Sequence, residues 1–513
     1  MRPMEPLLLT GTALPLEAIE AVARRGAPVR LADEAAAAVR SSRDLVEQHL
    51  GRDRPIYGIN TGIGALADTT IPAGDLEQLQ RNIVRSHSAG VGTLLPAEVV
   101  RAVILLRART MATGRTGVRV EVIERLLELL NRGITPAVPS RGSVGASGDL
   151  AQLAHIGQCV IGEGAVLHGD GVRPAAEVLR EEGLEPLELA TKEGLALING
   201  TEGMVALGAL ALVDLGRLLR AADVAAAMTV EAALGTDRPF AEDLMELRPH
   251  PGQAASAANL RAILRDSPVI ASHRDSTHAV QDPYSMRCAP QVHGAARETH
   301  AFASMVLGRE LGAVTDNPVV LPDGRVESAG NFHGEPLAYA LDLLAIGATG
   351  LASISERRTF WLLGPGTSRD LPPFLSTQPG LGSGYMLAQY TQAALVSEAK
   401  GLSHPAGLDS IPTSGSQEDH VSMGWTSGLK LREVIGHLRS VIAIEVLCAA
   451  QALDLRRPIA PAAGTAAALA AVRERVPFLD QDRDLSVDIE AVTGLVAGGE
   501  LVQRVEDAVG PLA

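Results

Sequence analysis

Cysteine, aromatic residues and positive charge are all scarce in this 513-residue chain. Its 3 cysteines, Cys159, Cys288 and Cys448, are too few and too scattered for a disulfide framework or a Cys-x-x-Cys zinc site. That usage fits a reducing compartment, and the cytoplasm is the expected location. The 45 lysines and arginines are outnumbered by 60 aspartates and glutamates, a formal net charge of -15. Such a balance excludes a general binder of phosphate backbones and disfavours an anionic membrane surface, so neither nucleic acid nor membrane is an expected partner. Long apolar runs are missing too. Met204 to Val213 and Leu343 to Ser355 are bounded by Asp214 and by Asp342 and Glu356, short of the ~20 residues a span requires. Over Met1 to Thr10 only Leu7-Leu8-Leu9 is apolar, without the basic start and longer core of a signal peptide.

Strand signals are equally sparse. Val319 to Val326 reads as a hairpin around Asp323-Gly324, and Ala165 to Val172 as another around Gly169-Asp170-Gly171. Helical periodicity fills most of the rest. Leu431, Val434, Ile435, Leu438, Val441, Ile442 and Val446 follow the i, i+3, i+4, i+7 spacing until Arg456-Arg457-Pro458 stops it. Thr201 to Leu234, Gly294 to Leu311 and Pro336 to Leu363 carry similar long patterns. Small residues such as Ala345, Gly347, Ala348 and Gly350 stand where a charged outer stripe would be, so these helices are expected to be buried on all sides, in a bundle or at a subunit interface. There is no internal repeat and no low-complexity tail; Pro458 to Gly464 is the best late boundary. The expected organisation is an N-terminal part over 1–200, a central long-helix bundle over 201–457 and a C-terminal helical segment over 458–513, forming one catalytic unit.

Chemistry-bearing residues collect where the helical pattern lapses. In Gly145-Ala146-Ser147-Gly148-Asp149, the amide nitrogen of Gly148 can attack the carbonyl carbon of Ala146. Loss of two waters then turns the Ser147 Cβ into the exocyclic methylene of a 4-methylideneimidazol-5-one (MIO) ring. Gly148 has no Cβ to obstruct that approach, and the required backbone strain is of a kind functional sites hold. The same stretch also reads as a Gly/Ser loop in which Ser147 or Asp149 caps the helix starting at Leu150. It lacks the last glycine of the serine-hydrolase G-x-S-x-G turn.

Tyr57-Gly58-Ile59-Asn60-Thr61-Gly62-Ile63-Gly64 surrounds one of only 5 tyrosines with glycines, as suits a loop that delivers a phenol as acid or base. Its glycine spacing is not the dinucleotide fingerprint. Gln281 to Arg287 gathers an amide, the Tyr284 phenol and a guanidinium suited to a bidentate carboxylate clamp. Gln417-Glu418-Asp419-His420 suits a basic substrate ring, or simply a helix N-terminus. His87 ends a helical pattern, Asn199 precedes a long helix that it would cap, and Phe332 lies in a Gly-rich gap.

Taken together, these segments resemble the histidine ammonia-lyase group of the MIO-dependent aromatic amino acid lyases over nearly the whole chain. The resemblance rests on Tyr57 to Gly62, Ser86 to Gly90, Gly142 to Leu150, Lys192 to Thr201, Gln281 to Cys288, Asp316-Asn317-Pro318, Gly330 to His333 and Gln417 to Met423. It implies a mainly α fold with a smaller N-terminal MIO-bearing domain and the ammonia-lyase/fumarase-like helical core, assembled as a homotetramer whose active sites are shared between chains. It implies MIO formation from Ala146, Ser147 and Gly148, assisted by Asp149, with no metal or nucleotide cofactor.

By the same resemblance, Tyr57 is the general base, Asn199 and Tyr284 position the ring and the amine, Arg287 holds the carboxylate with Gln281, and Phe332 lines the ring pocket. His87 and Glu418 occupy the places where the family selects its substrate, and a carboxylate with an imidazole suits L-histidine. The implied reaction is deamination to trans-urocanate and ammonia, the first step of histidine degradation. A tyrosine or phenylalanine ammonia-lyase or a 2,3-aminomutase is the alternative. Two departures from the family pattern stand out, Ile63 in place of an aromatic residue and the uncharged Leu363 to Ser368 segment.

Overall fold

The computed structural model describes residues 5–50, 55–276 and 278–513. Met1 to Met4 of the N-terminal stretch considered above therefore lie outside the described residues. The chain is mainly helical, and the four long sequence patterns are long helices: Glu202–Ala232, Ala289–Glu310, Glu335–Leu363 and Gly424–Leu455. Both expected hairpins form, Ala165–His168 against Gly171–Pro174 and Val319–Val320 against Val326–Glu327. Two further strand pairs carry no local signal. Leu7–Leu9 runs parallel to Val29–Leu31, and Val91–Leu94 runs antiparallel to Pro139–Arg141.

Burial explains the composition of the long helices. Along Glu202–Ala232, residues Leu218, Ala221, Ala222, Val224 to Met228 and Val230 are all essentially inaccessible, and small side chains let neighbouring backbones approach. Glu335–Leu363 is long and apolar enough in composition to cross a membrane, yet 61% of its most apolar window is buried inside the fold, as in a core helix.

The chain divides into two compact units, each discontinuous in sequence. The first comprises Met1–Val213, Ser304–Asp342 and Pro405–Leu429. Its buried Ala97–Ala112 helix packs against Leu16–Arg25 and Val120–Asn131, while Leu76–His87, Leu150–Val160 and Glu193–Ile198 pack on one another. The second comprises Asp214–Ala303, Leu343–His404 and Lys430–Ala513, where Ala463–Arg473 packs on Glu500–Val509 and Pro251–Ile263. Its core holds a connected polar network. Asp223 accepts from Ser256, Asn259, Arg297 and the Nδ1 of His293, and Arg358 pairs with Glu445. Fully buried charges require such partners.

Candidate active site

The Ala146-Ser147-Gly148 turn is held in a conformation that side chains rarely adopt. Ser147 has φ +51°, between Gly145 at +72° and Gly148 at +81°. A Cβ on Gly148 would lie 1.8 Å from the carbonyl oxygen of Gly200, so only glycine fits there. The clamp is made by backbone. Gly200 N donates to Ser147 O at 3.2 Å, and Asp149 N donates to Gly200 O at 2.7 Å. On the other side, Met423 N donates to Val144 O at 2.9 Å and Ser422 Oγ to Gly145 O at 3.4 Å. The turn is thus held on both sides, as stored strain requires.

The Asp149 side chain does not cap the Leu150–Val160 helix, although the residue stands at its N-cap. Its carboxyl is fully buried, with Oδ2 accepting from Met204 N at 2.8 Å and Oδ1 facing the Ser143 hydroxyl at 3.4 Å. Burial pushes its pKa up to about 8, so at neutral pH it is mostly a neutral acid beside the turn. The Asn199 side chain does not cap the long helix that follows; the residue ends Glu193–Ile198, its N–H donating to Leu195 O. Its Nδ2 donates to Asn317 O at 3.2 Å and its side chain lines the cavity over the turn.

Two cavities of about 570 and 660 Å³ meet at Ser147 and share Tyr57, Gly64, Ala146, Ser147 and Glu418 in their walls. The first also takes His87 and Asn199, the second Phe332. Tyr57 stands in a loop anchored by Ile59, which is buried with Val46 and Val320. Within that loop Asn60 Oδ1 accepts from Ile56 N at 2.7 Å, and Ile71 N donates back to Asn60 O at 2.9 Å. Burial raises the Tyr57 pKa, the Gly64 N–H donating to Oη at 3.4 Å opposes that rise, and the negative charge of Glu418 adds to it.

His87 closes the Leu76–His87 helix, and its Nδ1 hydrogen-bonds Ile83 O at 2.9 Å. With the proton on Nδ1, Nε2 is left as an acceptor. Burial lowers the His87 pKa and keeps the ring neutral. Glu418 is fixed by a short antiparallel bridge to Thr413, whose N–H donates to Glu418 O at 2.9 Å. The Gly424–Leu455 helix begins only after this segment, so Gln417 to His420 is not a helix N-terminus.

Gln281, Tyr284 and Arg287 are placed elsewhere. They line a cavity of about 580 Å³ in the second unit with Trp361, Arg369 and Asp370, and none of them lines the cavities at Ser147. The Pro365 to Thr367 part of the departing segment lines that same cavity, and Ile63 lines the cavity over Ser147.

Sequence reasoning missed the ion cluster beneath the site. Lys192 Nζ meets Asp316 at 2.7 Å with both side chains fully buried, and Arg107 reaches Glu202 at 2.8 Å and Asp316 at 3.4 Å. These charges pin Lys192 to Glu202 and the Asn317 turn that flank Asn199 and Gly200. The only local signal was charge placed inside otherwise apolar motifs. His333, Glu335 and His420 also bring ligand-type atoms within 4.8 Å of one another. Both nitrogens of His333 already have backbone partners, His420 O at 3.1 Å and Glu335 N at 3.4 Å, so the histidine ties two loops together.

A glycine-walled serine turn thus shares its cavity walls with a loop tyrosine and a glutamate, the arrangement of an enclosed enzyme site. The chain belongs to the aromatic amino acid lyase family, whose model matches residues 14–474. It is 54% identical over 507 residues to the histidine ammonia-lyase of Anaeromyxobacter sp. (strain K), covering 97% of this chain and 100% of that protein. Among solved structures, the histidine ammonia-lyase of Trypanosoma cruzi superposes with TM-score 0.91 at 42% identity, covering 98% of this chain and 96% of that one. Tyrosine aminomutase from Streptomyces globisporus superposes with TM-score 0.94 at 38% identity, covering 99% and 100%.

Proposed function

We propose that this enzyme removes ammonia from L-histidine to give trans-urocanate, using an MIO ring formed from Ala146, Ser147 and Gly148. The observation that carries this reading is the position of Ser147, in a turn that accepts no other residue at 148, where the walls of two cavities bring it beside Tyr57 and Glu418. The ring fits this turn, because Gly148 is free of a Cβ and the Gly200 amide already holds the Ser147 carbonyl oxygen. When formed, it supplies an electron-poor methylene at the former Ser147 Cβ. Such a group is needed because the β-proton of histidine is barely acidic and ammonia leaves poorly.

The remaining work falls to side chains. Tyr57 Oη takes the β-proton, with the Gly64 N–H favouring the phenolate that must form. Glu418 and the neutral His87 hold the substrate imidazole, Asn199 orients the amine end, and the buried Asp149 acid supplies a proton during ring closure. Phe332 lines the second cavity as its aromatic wall residue beside Tyr57.

Among the described residues lining the two cavities at Ser147 there is no arginine or lysine to meet a carboxylate. In our reading the enzyme is a homotetramer, and another copy brings Gln281, Tyr284 and Arg287 to the cavity. Exposed apolar side chains on the second unit, Ile346, Phe360, Leu387 and Tyr390, support an assembled surface. The cytoplasm is its proposed location.

Purified protein mixed with L-histidine should generate the ultraviolet absorbance of urocanate, and its intact mass should fall short of the sequence mass by two waters. Full mass with unchanged histidine would overturn the proposal. The likeness to tyrosine aminomutase favours a second reading, in which L-tyrosine gives its β-amino isomer. Product analysis after incubation with each amino acid separates the two.

A further inference from the structure

Arg287 is held by the backbone oxygen of Asp282, a residue of the same cavity wall whose carboxylate is bound behind it. Asp282 is 5% exposed, and both of its carboxylate oxygens are engaged. Oδ2 accepts from Thr236 N at 2.7 Å and Oδ1 from Arg369 Nη2 at 2.8 Å. The Asp282 backbone oxygen accepts from Arg287 Nε at 3.0 Å. That bond engages Nε and leaves the paired Nη1 and Nη2 edge for an incoming carboxylate, the bidentate geometry arginine provides. The Tyr284 ring lies 4.5 Å from the guanidinium carbon and fixes its plane.

Arg369 is itself held tightly. Its Nη1 donates to Ala233 O at 3.1 Å and also to Leu234 O, its backbone oxygen accepts from Arg456 Nη2 at 2.7 Å, and its guanidinium sits 5.1 Å from the Trp361 ring centre. Three non-glycine residues at this junction have left-handed backbone, Leu234 at φ +52°, Arg369 at +54° and Asp370 at +68°. Backbone of that kind persists only where surrounding contacts over-determine it, and it concentrates at functional positions.

We infer that Asp282, locked by Arg369 and the Thr236 amide, is a positioning residue that aims the Arg287 guanidinium at the substrate carboxylate. The inference rests on the proposed role of Arg287. The Asp282 carboxylate is taken up by Thr236 and Arg369, and through them it holds the peptide whose oxygen orients Arg287.

The test is a double-mutant cycle on the full-length enzyme with L-histidine, using Asp282→Asn, Arg287→Ala and the pair. Asp282→Asn keeps the shape but cannot accept from both the Thr236 amide and Arg369. It is expected to lower kcat/KM about tenfold, mostly through KM, in the presence of Arg287, and less than twofold once Arg287 is alanine. Arg369→Lys, which keeps the charge without the forked bridge, should behave in the same way, and it carries the test if Asp282→Asn fails to fold. Equal losses with and without Arg287 would mean a purely structural role and would overturn the inference. An unchanged KM in Asp282→Asn would do the same. If Arg287→Ala alone leaves kcat/KM intact, the carboxylate role of Arg287 fails first and the positioning role falls with it.

Discussion

Ser147 and Gly200 face each other across a pair of backbone bonds, with the Gly200 amide 3.2 Å from the Ser147 oxygen and the Gly200 oxygen 2.7 Å from the Asp149 amide. Gly148 lies between them with its Cα facing the Gly200 carbonyl. Replacing Gly148 by alanine therefore strikes backbone, which cannot move aside as a side chain can. Gly148→Ala should retain its full sequence mass, show no loss of two waters, and convert histidine at least a thousandfold more slowly than wild type. A variant with the mass deficit intact would show that ring closure does not depend on this contact.

Arg287→Lys keeps the positive charge but loses the planar fork. The expected cost is about 1.5 to 3 kcal/mol of carboxylate binding, the range of a hydrogen bond to a charged group. Steady-state kinetics should show a ten- to hundredfold fall in kcat/KM. Wild-type kinetics would take Arg287 out of the site.

Glu418 lies close enough to Tyr57 for its charge to help raise the phenol pKa. A general base works only when deprotonated, so activity climbs as pH rises through that pKa. Glu418→Gln removes the charge, and the rising limb of the kcat pH profile should shift to lower pH even as histidine turnover falls. A limb that stays put or moves upward would separate the two residues electrostatically.

Asp149 provides a stability test with a defined sign. Its folded pKa is raised from 3.8 to about 8, so between those values the folded state binds more protons than the unfolded state. Stability from this group is present at low pH and is lost as pH rises toward 8, by at most about 1.4 kcal/mol per pH unit. Urea denaturation of wild type and Asp149→Asn from pH 5 to 8 should show wild type losing ground steadily to the asparagine variant. Parallel curves would mean that Asp149 titrates normally.

The long helices were legible because their apolar spacing persists for many turns, and Asp323-Gly324 and Gly169-Asp170-Gly171 mark their hairpins by turn chemistry that acts locally. The parallel pairing of Leu7–Leu9 with Val29–Leu31 was not legible, since three-residue strands are too short to show a period. Asp149 illustrates the limit at the site. Its place just before a helix suggests a cap, whereas its carboxyl is drawn to the Met204 amide, which local sequence cannot reveal.

The order of residues alone determined the helical character of the chain, the chemical potential of Ala146-Ser147-Gly148 and the identity of the candidate acids, bases and clamps. These follow from spacing of a few residues and from side-chain type. Only the tertiary structure decided that Lys192 meets Asp316 across 124 positions, that Tyr57, Ser147 and Glu418 share a wall, and that Gln281, Tyr284 and Arg287 line a different cavity. Such relationships are set by how helices pack and by which buried charges find partners, and both depend on residues far apart along the chain.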